Sequence, residues 1–277
     1  MTMTADQMKI TSPAVFATEP VEAASNRYTF IPTTTLIADF KKLGWEVHRM
    51  AQQNSHTDPE HTKHIVIFRN PSLPTIGGNI IELLLVNSHN RLASFHFMLG
   101  IFRTICANGL IVHTRLFETL NIRHIGYDFE DLKDLTEAML ENMPKLAKSI
   151  KKLESSEMDE AMQTDFAYEA IVARFPEYLT EVGMIDTKAI QKALDMKEFI
   201  KAIRKEDEGD SVWLVYNRIQ EKLMKGGFKR MGSKDGKFKQ VRPVTNIGLT
   251  VKLNQKLWRL AESYSRLIKT QKKEKVV

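Results

Sequence analysis

The residues best suited to chemistry lie in one short segment, residues 225–242, which combines cations, glycines and aromatic rings. Between Lys222 and Arg242 the chain has eight Lys or Arg residues and one Asp, a net charge of +7 in a chain whose formal total is +6. Cations bind phosphates, and aromatic rings stack on the bases of single strands. We therefore expect nucleic-acid binding, with single-stranded DNA favoured, by these residues: Lys225, Phe228, Lys229, Arg230, Lys234, Lys237, Phe238, Lys239 and Arg242. Arg91 and Arg103, earlier in the chain, are expected to assist.

Two other interpretations of this segment stay open. A run of charges between two helices is often a solvated loop without a ligand. Alternatively, the basic loop docks on an acidic host protein, as expected of an anti-defence or regulatory protein. The segment is not a Walker A loop, because no Gly-Lys-Ser/Thr sequence follows a strand at the required spacing. The sequence therefore predicts neither a cofactor nor nucleotide hydrolysis.

The histidines and the single cysteine do not form a recognisable catalytic or metal-binding pattern. All eight histidines lie between His48 and His124, without an HExxH sequence or a paired-cysteine spacing. Ser88 and His89 are adjacent, but no nucleophile-elbow sequence surrounds the serine. Cys106 lies in an apolar stretch, which is typical of packing. We predict no catalytic or metal-binding residues and no enzyme, and a metal-dependent nuclease would need carboxylate clusters that the sequence lacks.

Length and composition limit the class of protein. The chain has 277 residues, of which 43% are hydrophobic, enough for a sizeable core. One cysteine excludes an internal disulfide framework and favours a reducing compartment. The sequence does not start like a signal peptide, and no stretch approaches the roughly 20 apolar residues that cross a bilayer. We therefore expect a cytoplasmic protein without membrane contact.

The N-terminal part of the chain contains a predicted leader and a predicted sheet. Residues 1–26 lack periodicity and are interpreted as a mobile leader. Residues 27–127 are expected to hold a short helix and a sheet, and turn residues at 87–91 predict a hairpin. The β-rich runs are residues 45–50, 64–68, 80–86, 92–99 and 110–113. Residues 101–107 are predicted to form a short helix between the last two runs.

Residues 128–277 change to a helical period. Apolar residues three and four apart run from Leu132 to Leu153, with Pro144 inside the stripe. Further helices are predicted at residues 158–174, 187–204, 212–225 and 253–267. The sequence thus predicts an α+β fold: an N-terminal antiparallel or mixed sheet with short helices, followed by a largely helical C-terminal half. The two halves are expected either as separate domains or as one continuous domain.

Four segments match a known family in order and spacing. They are residues 26–33 (NRYTFIPT), residues 85–112 with LVNSH and GIFRTICANGLIV, residues 212–227 with NRIQEKLMKGG, and residues 246–262 with NIG, LNQKLW and AE. On these segments the chain resembles the YafZ/YfjQ-type proteins of prophages and plasmids, a family catalogued as a domain of unknown function. The resemblance covers nearly the whole chain after residue 25, except the helical region from about 130 to 205.

The resemblance implies carriage on mobile DNA, where single-strand annealing proteins, anti-restriction factors and replication accessories are common. The layout is similar in outline to phage single-strand annealing recombinases, which have a small curved sheet packed on helices, a basic groove and ring or filament assembly. By this fold-level analogy we expect DNA recombination by strand annealing and assembly into a homo-oligomer. Family members tend to have Ser-His-Asp-Gly where this chain has Ser88-His89-Asn90-Arg91. The exchange disfavours a catalytic Asp and is compatible with anion binding.

Overall fold

The computed structural model describes residues 9–21, 30–90, 96–103, 108–111, 120–121, 128–232 and 236–274. The chain divides into two compact units, residues 1–144 and residues 145–277. The first unit contains an antiparallel sheet and the second is mostly helical, which confirms the predicted α+β fold. In the described part of the chain, no helix combines the length and apolar character that a bilayer crossing needs.

An antiparallel sheet forms the centre of the first unit. Its described strands are β1 (Glu46–Gln52), β2 (His64–Arg69), β3 (Asn79–Asn87), β4 (His96–Arg103), β5 (Asn108–Ile111) and β6 (Leu120–Asn121). They follow the order β1-β2-β3-β4-β5, and β6 also pairs with β4. The central strand β3 is buried along nearly all of its length, in agreement with its almost continuous apolar sequence.

Helix α1 (Thr33–Lys42) packs on this sheet. The ring centre of Phe40 lies 4.6 Å from that of Phe68 on β2 and 5.3 Å from that of Phe97 on β4. Full burial of a side chain of this size contributes about 2–3 kcal/mol of stability. The helix therefore has a fixed position on the sheet, and its first residue, Thr33, reaches His64 at the start of β2.

Part of the predicted leader packs against the same unit. Pro13–Phe16 form a 3-10 helix beside α1 and β2, and Ala14 and Val15 are fully buried. The Ala14 N–H donates a hydrogen bond of 2.9 Å to Gln52 Oε1 at the end of β1. These residues therefore belong to the folded unit. Residues 1–8 and 22–26 lie outside the described part of the chain.

Strand β4 corrects one prediction from the sequence. Residues 101–103 continue β4, where the local pattern predicts the start of a short helix. Ile101 lies opposite Ile81 on β3 and Leu110 on β5, so hydrogen-bonded neighbours on both sides outweigh the helical pattern. Residues 104–107, including Cys106, lie outside the described residues.

The helical region begins with α2 (Phe129–Glu154), which contains Pro144. It continues with α3 (Glu160–Arg174), α4 (Thr187–Ala193), α5 (Met196–Ile200), α6 (Val212–Lys225) and α7 (Ile247–Glu274), and with a hairpin of β7 (Lys229–Met231) and β8 (Phe238–Gln240). Residues 187–204, predicted as one helix, form two. The second begins at Asp195, whose side chain accepts a hydrogen bond from the Glu198 N–H and so caps a new helix.

The core of the second unit is built around α6. Its predicted apolar stripe is fully buried: Val212, Val215, Ile219 and Leu223. The Trp258 ring of α7 meets Trp213 and Tyr216 edge to face, with ring centres 6.5 and 5.9 Å apart. Helix α6 is therefore held firmly, and its last residue, Lys225, begins the basic segment.

Candidate nucleic-acid interface

The described residues of the basic segment, 225–232 and 236–242, include a β-hairpin that starts just after the end of α6. Strands β7 and β8 pair antiparallel, with Arg230 opposite Lys239 and Met231 opposite Phe238. Opposed residues in such a pair have their side chains on the same face, and successive residues alternate between faces. Arg230 and Lys239 therefore share one face, whereas Phe238 shares the other face with Lys229 and Met231.

The base of the hairpin is fixed by a close approach of two backbone segments. Gly226 has a φ of +70°, and a Cβ at this position would lie 2.3 Å from the carbonyl oxygen of Val241. The Gly227 N–H donates to Val241 O at 2.9 Å, and the Val241 N–H donates to Phe228 O at 2.8 Å. These bonds attach both ends of the hairpin to the end of α6.

One face of the hairpin is anchored on the helical unit. Arg230 Nη1 lies 2.6 Å from Glu177 Oε1 and 3.3 Å from the Tyr178 hydroxyl. Burial lowers the pKa of Arg230, but the hydrogen bonds to Glu177 and Tyr178 outweigh burial and raise it overall. The Phe228 ring meets Phe199 edge to face, with 5.1 Å between ring centres. Phe228 is thus less suited than an exposed ring to stack on a base.

The remaining predicted residues of the hairpin are exposed. Phe238 leaves 55% of its surface in solvent. Four cations of the basic segment are exposed as well: Lys229, Lys237, Lys239 and Arg242. These four cations and Phe238 are called the hairpin surface below. It combines an exposed aromatic ring with exposed positive charge.

Two of the lysines in the net charge counted from Lys222 to Arg242 are engaged within the helical unit: Lys222 and Lys225. Lys225 Nζ lies 2.8 Å from Glu221 Oε1, and Glu221 also accepts two hydrogen bonds of 2.6 Å from Arg204. Burial raises the pKa of Glu221, but these hydrogen bonds outweigh burial and lower it overall. Lys222 is 8% exposed, and its ammonium donates to three backbone carbonyls. The segment therefore presents less charge to solvent than the sequence count indicates.

Three further predicted contributors lack described side chains. Lys234 and Arg91 lie outside the described residues. Arg103 is the last residue of β4 in the first unit, and its side chain is also outside the described part.

The residues that hold the hairpin were missed by sequence reasoning. Arg174 Nη2 donates to Arg242 O at 2.5 Å, and its Nη1 donates to Leu223 O. Burial, followed by the positive charge of Arg230, lowers the pKa of Arg174. Arg174, Phe175, Glu177 and Tyr178 lie about 50 residues before the hairpin. No local pattern connects segments so far apart, so only the folded chain identifies this contact.

A second group of polar side chains is buried in the first unit. Five of them are at most 1% exposed: Thr33, His64, Asn87, Ser88 and His89. The Ser88 hydroxyl donates a hydrogen bond of 2.5 Å to Asn90 Oδ1. A hydroxyl has one proton, so in this arrangement Ser88 does not donate to a base such as His89. Burial lowers the pKa of His64 to about 4, so its imidazole is neutral near pH 7. Among the described residues, no three His, Cys, Asp or Glu side chains are grouped to hold a metal ion.

Fold and surface together define an α+β protein with an antiparallel sheet in one unit and a basic hairpin of two paired strands in the other. The chain belongs to the family described as "Domain of unknown function (DUF932)", whose profile matches residues 20–258. The UPF0380 proteins YfjQ and YafZ of Escherichia coli (strain K12) are each 29% identical over 264 residues, covering 94% of this chain and 91% of the relative. The resemblance inferred from four segments is thereby confirmed. No solved structure matches the chain.

Proposed function

We propose that this protein binds single-stranded DNA through the hairpin surface and promotes annealing of complementary strands as a homo-oligomer, without nucleotide hydrolysis. The observation that carries the proposal is the 55% exposed ring of Phe238 among exposed cations. A ring of this kind stacks on any base, and the cations bind the phosphates on either side. Bases that are stacked only on one face keep their pairing edges available for a second strand.

The number of exposed cations sets the expected salt dependence. The hairpin surface contains four of them: Lys229, Lys237, Lys239 and Arg242. Each phosphate contact on a single strand contributes about −0.7 to the slope of log affinity against log salt. Four contacts therefore predict a slope of about −3. A much steeper slope would mean that residues outside the hairpin surface also bind phosphates.

The size of the hairpin favours binding by several copies of the chain. Each strand has three residues, which span about 10 Å in a β conformation. One hairpin can therefore contact only a few nucleotides, so its affinity for DNA is expected to be modest. Several linked copies on one strand raise the overall affinity by orders of magnitude. This argument supports the oligomer in the proposal.

The decisive experiment compares two variants, each with four substitutions, by fluorescence anisotropy with labelled single-stranded oligonucleotides at several salt concentrations. The first variant replaces Lys229, Lys237, Lys239 and Arg242 by Ala, and leaves Arg230 intact because it anchors the hairpin. The matched control removes the same charge from exposed positions elsewhere: Lys148, Lys151, Lys269 and Lys272. We expect the first variant to lose most of its affinity and its salt slope, and the control to retain both. Equal affinity of the two variants would overturn the proposal.

Annealing is tested separately with the protein as it exists. Two complementary strands that carry a fluorophore and a quencher are mixed with the full chain in the absence of nucleotide. We expect faster quenching with the unaltered chain and with the control variant, and the spontaneous rate with the hairpin variant. Binding without faster quenching would retain the DNA-binding part of the proposal and reject the annealing part.

The second candidate, docking on an acidic host protein, is favoured by one observation. A tight turn at residues 180–184, shortly after Tyr178 in the sequence, exposes two apolar side chains, with Val182 81% and Met184 67% exposed. Exposed apolar side chains on an ordered turn are typical of protein interfaces. Replacing both by Ser should leave oligonucleotide binding unchanged if DNA is the ligand. A pull-down from host lysate that depends on both the turn and the hairpin cations would favour a protein partner.

A further inference from the structure

The β7–β8 hairpin is too short to be stable by itself. Each strand has three residues, and an isolated two-stranded hairpin is at best marginally stable in water. The outward face contributes little packing, because Phe238 and Lys229 are exposed. Contacts on the other face must therefore hold the hairpin in the geometry in which Phe238 and Lys229 face solvent.

Arg230 supplies several of these contacts. Its guanidinium carbon lies 4.2 Å from the centre of the Phe175 ring and 5.6 Å from that of Tyr178. Its Nη1 lies 2.6 Å from Glu177 Oε1. The side chain is 21% exposed. A planar guanidinium can stack on a ring and donate hydrogen bonds in its own plane at the same time, which an ammonium cannot do.

The partners of Arg230 are themselves held in place. Glu177 lies in the 3-10 helix Pro176–Tyr178, and Phe175 lies directly before this helix, just after the end of α3. The Tyr178 ring is buried. The second guanidinium at this site, that of Arg174, lies 5.0 Å from the centre of the Phe175 ring and donates to the carbonyl of Arg242 after β8. The aromatic clamp, defined here as Arg230 with Phe175, Glu177 and Tyr178, thus joins the hairpin to a rigid part of the unit.

We infer that Arg230 is a positioning residue of the DNA-binding surface, which keeps Lys229 and Phe238 directed outward by means of the aromatic clamp. This inference rests on the proposed function. If the clamp is weakened, a smaller fraction of the molecules has the hairpin in its binding geometry. The apparent affinity for DNA falls in proportion to that fraction. The charge of Arg230 acts on Glu177, not on a phosphate.

The sharpest test is a substitution for which charge and positioning predict opposite effects. Glu177→Gln removes a negative charge near the hairpin surface, so electrostatics alone predicts tighter DNA binding. Loss of the clamp predicts weaker binding, by up to about fivefold, because a partly exposed ion pair contributes up to about 1 kcal/mol. The control is Glu181→Gln, an exposed acid four residues later for which no ion pair occurs among the described residues. We expect this control to bind DNA at least as tightly as the unaltered chain.

Arg230→Lys provides the second test, since it retains the charge and loses the planar stacking. We expect affinity about tenfold lower than that of the unaltered chain, with an unchanged salt slope. Amide hydrogen exchange at Lys239 and Val241 should become faster in this variant, while exchange in α6 stays the same. Unaltered affinity of Arg230→Lys, or tighter binding by Glu177→Gln, would overturn the inference. A salt slope shallower by about 0.7 in Arg230→Gln would also overturn it, because Arg230 would then bind a phosphate directly.

Failure of this inference is distinguishable from failure of the proposed function. If the unaltered chain and the fourfold control bind DNA but the clamp variants bind equally well, only the positioning role is rejected. If the unaltered chain does not bind oligonucleotides at low salt, the proposed function is rejected. Hydrogen exchange at the hairpin then still reports whether the clamp holds it.

Discussion

Thr33 donates its hydroxyl proton to His64 Nε2 across 2.8 Å, and this buried hydrogen bond joins α1 to β2. Its direction follows from the other partner of the imidazole. His64 Nδ1 lies 2.9 Å from the carbonyl oxygen of Thr62, which only accepts, so Nδ1 carries the ring proton and Nε2 the lone pair. Thr33 in turn accepts a hydrogen bond of 3.0 Å from Asn87 Nδ2 at the end of β3. Protonation of His64 would remove the acceptor for Thr33.

This arrangement predicts a loss of stability in acid. Burial lowers the pKa of His64 from 6.5 to about 4 in the folded chain. Between these two values the unfolded chain binds a proton that the folded chain does not bind, so the free energy of unfolding decreases as the pH falls. The loss is about 1.4 kcal/mol per pH unit and about 3 kcal/mol over the whole interval. Below the folded-state pKa both states are protonated and the effect ends.

Urea unfolding at a series of pH values between about 7 and 4 measures this dependence. His64→Gln should flatten the change in unfolding free energy across the interval, whatever its effect on stability at neutral pH. His56→Gln, which removes an exposed histidine, is the matched control and should retain the full pH dependence. An equally steep dependence in His64→Gln would show that other groups are responsible, such as His48, whose pKa is lowered by burial and by Arg69 and Arg49.

Local sequence patterns predict some elements of the structure correctly, but they do not predict contacts between distant parts of the chain. Helix α6 and its end at Gly226 follow from apolar spacing and from the glycine, both of which act within a few residues. The anchoring of Arg230 on Glu177 depends on a contact across 53 positions, so a cation in a basic run was interpreted as surface charge. The exposure of Phe238 and the packing of Phe228 also depend on which hairpin face meets the helical unit.

The burial of Lys222 is also not predictable from the local sequence, and it leads to a second prediction. A lysine in a helix is normally exposed, yet here the carbonyl oxygens of Glu198 and Phe199 in α5 and of Lys201 just after it lie within 2.6–2.8 Å of its ammonium. Burial lowers its pKa to about 8, so the group is still mainly charged at neutral pH. Lys222→Met removes three hydrogen bonds from a charged group, each of which contributes about 1.5–3 kcal/mol, so it should lower the free energy of unfolding by at least about 4 kcal/mol.

The control for Lys222 is Lys197→Met, an exposed lysine on α5 itself, which should change stability by less than about 0.5 kcal/mol. Denaturant unfolding of both variants provides the comparison. Similar stability of the two variants would mean that water molecules replace the ammonium at the three carbonyls without loss of free energy of unfolding.

Gly226 and Gly227 form a natural pair for a third prediction. Both have positive φ, +70° and +85°, so an alanine at either position is strained by about 1 kcal/mol. Only at Gly226 would the added Cβ also meet backbone, 2.3 Å from Val241 O, and backbone atoms cannot rotate away. We expect Gly226→Ala to lower the free energy of unfolding by about 3 kcal/mol, and to accelerate exchange of the Val241 amide hydrogen. Equal effects of the two substitutions would contradict the close approach.

Phe238 provides the most direct prediction about function. Phe238→Ala should lower affinity for single-stranded oligonucleotides about tenfold, because stacking of one base on an aromatic ring contributes about 1–3 kcal/mol. The salt slope should stay unchanged, since no phosphate contact is lost. Stability should also be little affected, because more than half of the side chain is exposed.

Two controls separate stacking from general hydrophobicity. Phe238→Trp keeps an aromatic face and should retain affinity, whereas Phe238→Leu keeps apolar surface and should lose affinity as the alanine variant does. Met184→Ala removes a side chain of similar exposure from a different turn and should have no effect on oligonucleotide binding. If leucine at position 238 binds as well as phenylalanine, the ring does not stack on bases. The exposed apolar surface would then serve a protein partner, and the cations around it would contribute charge complementarity to that partner.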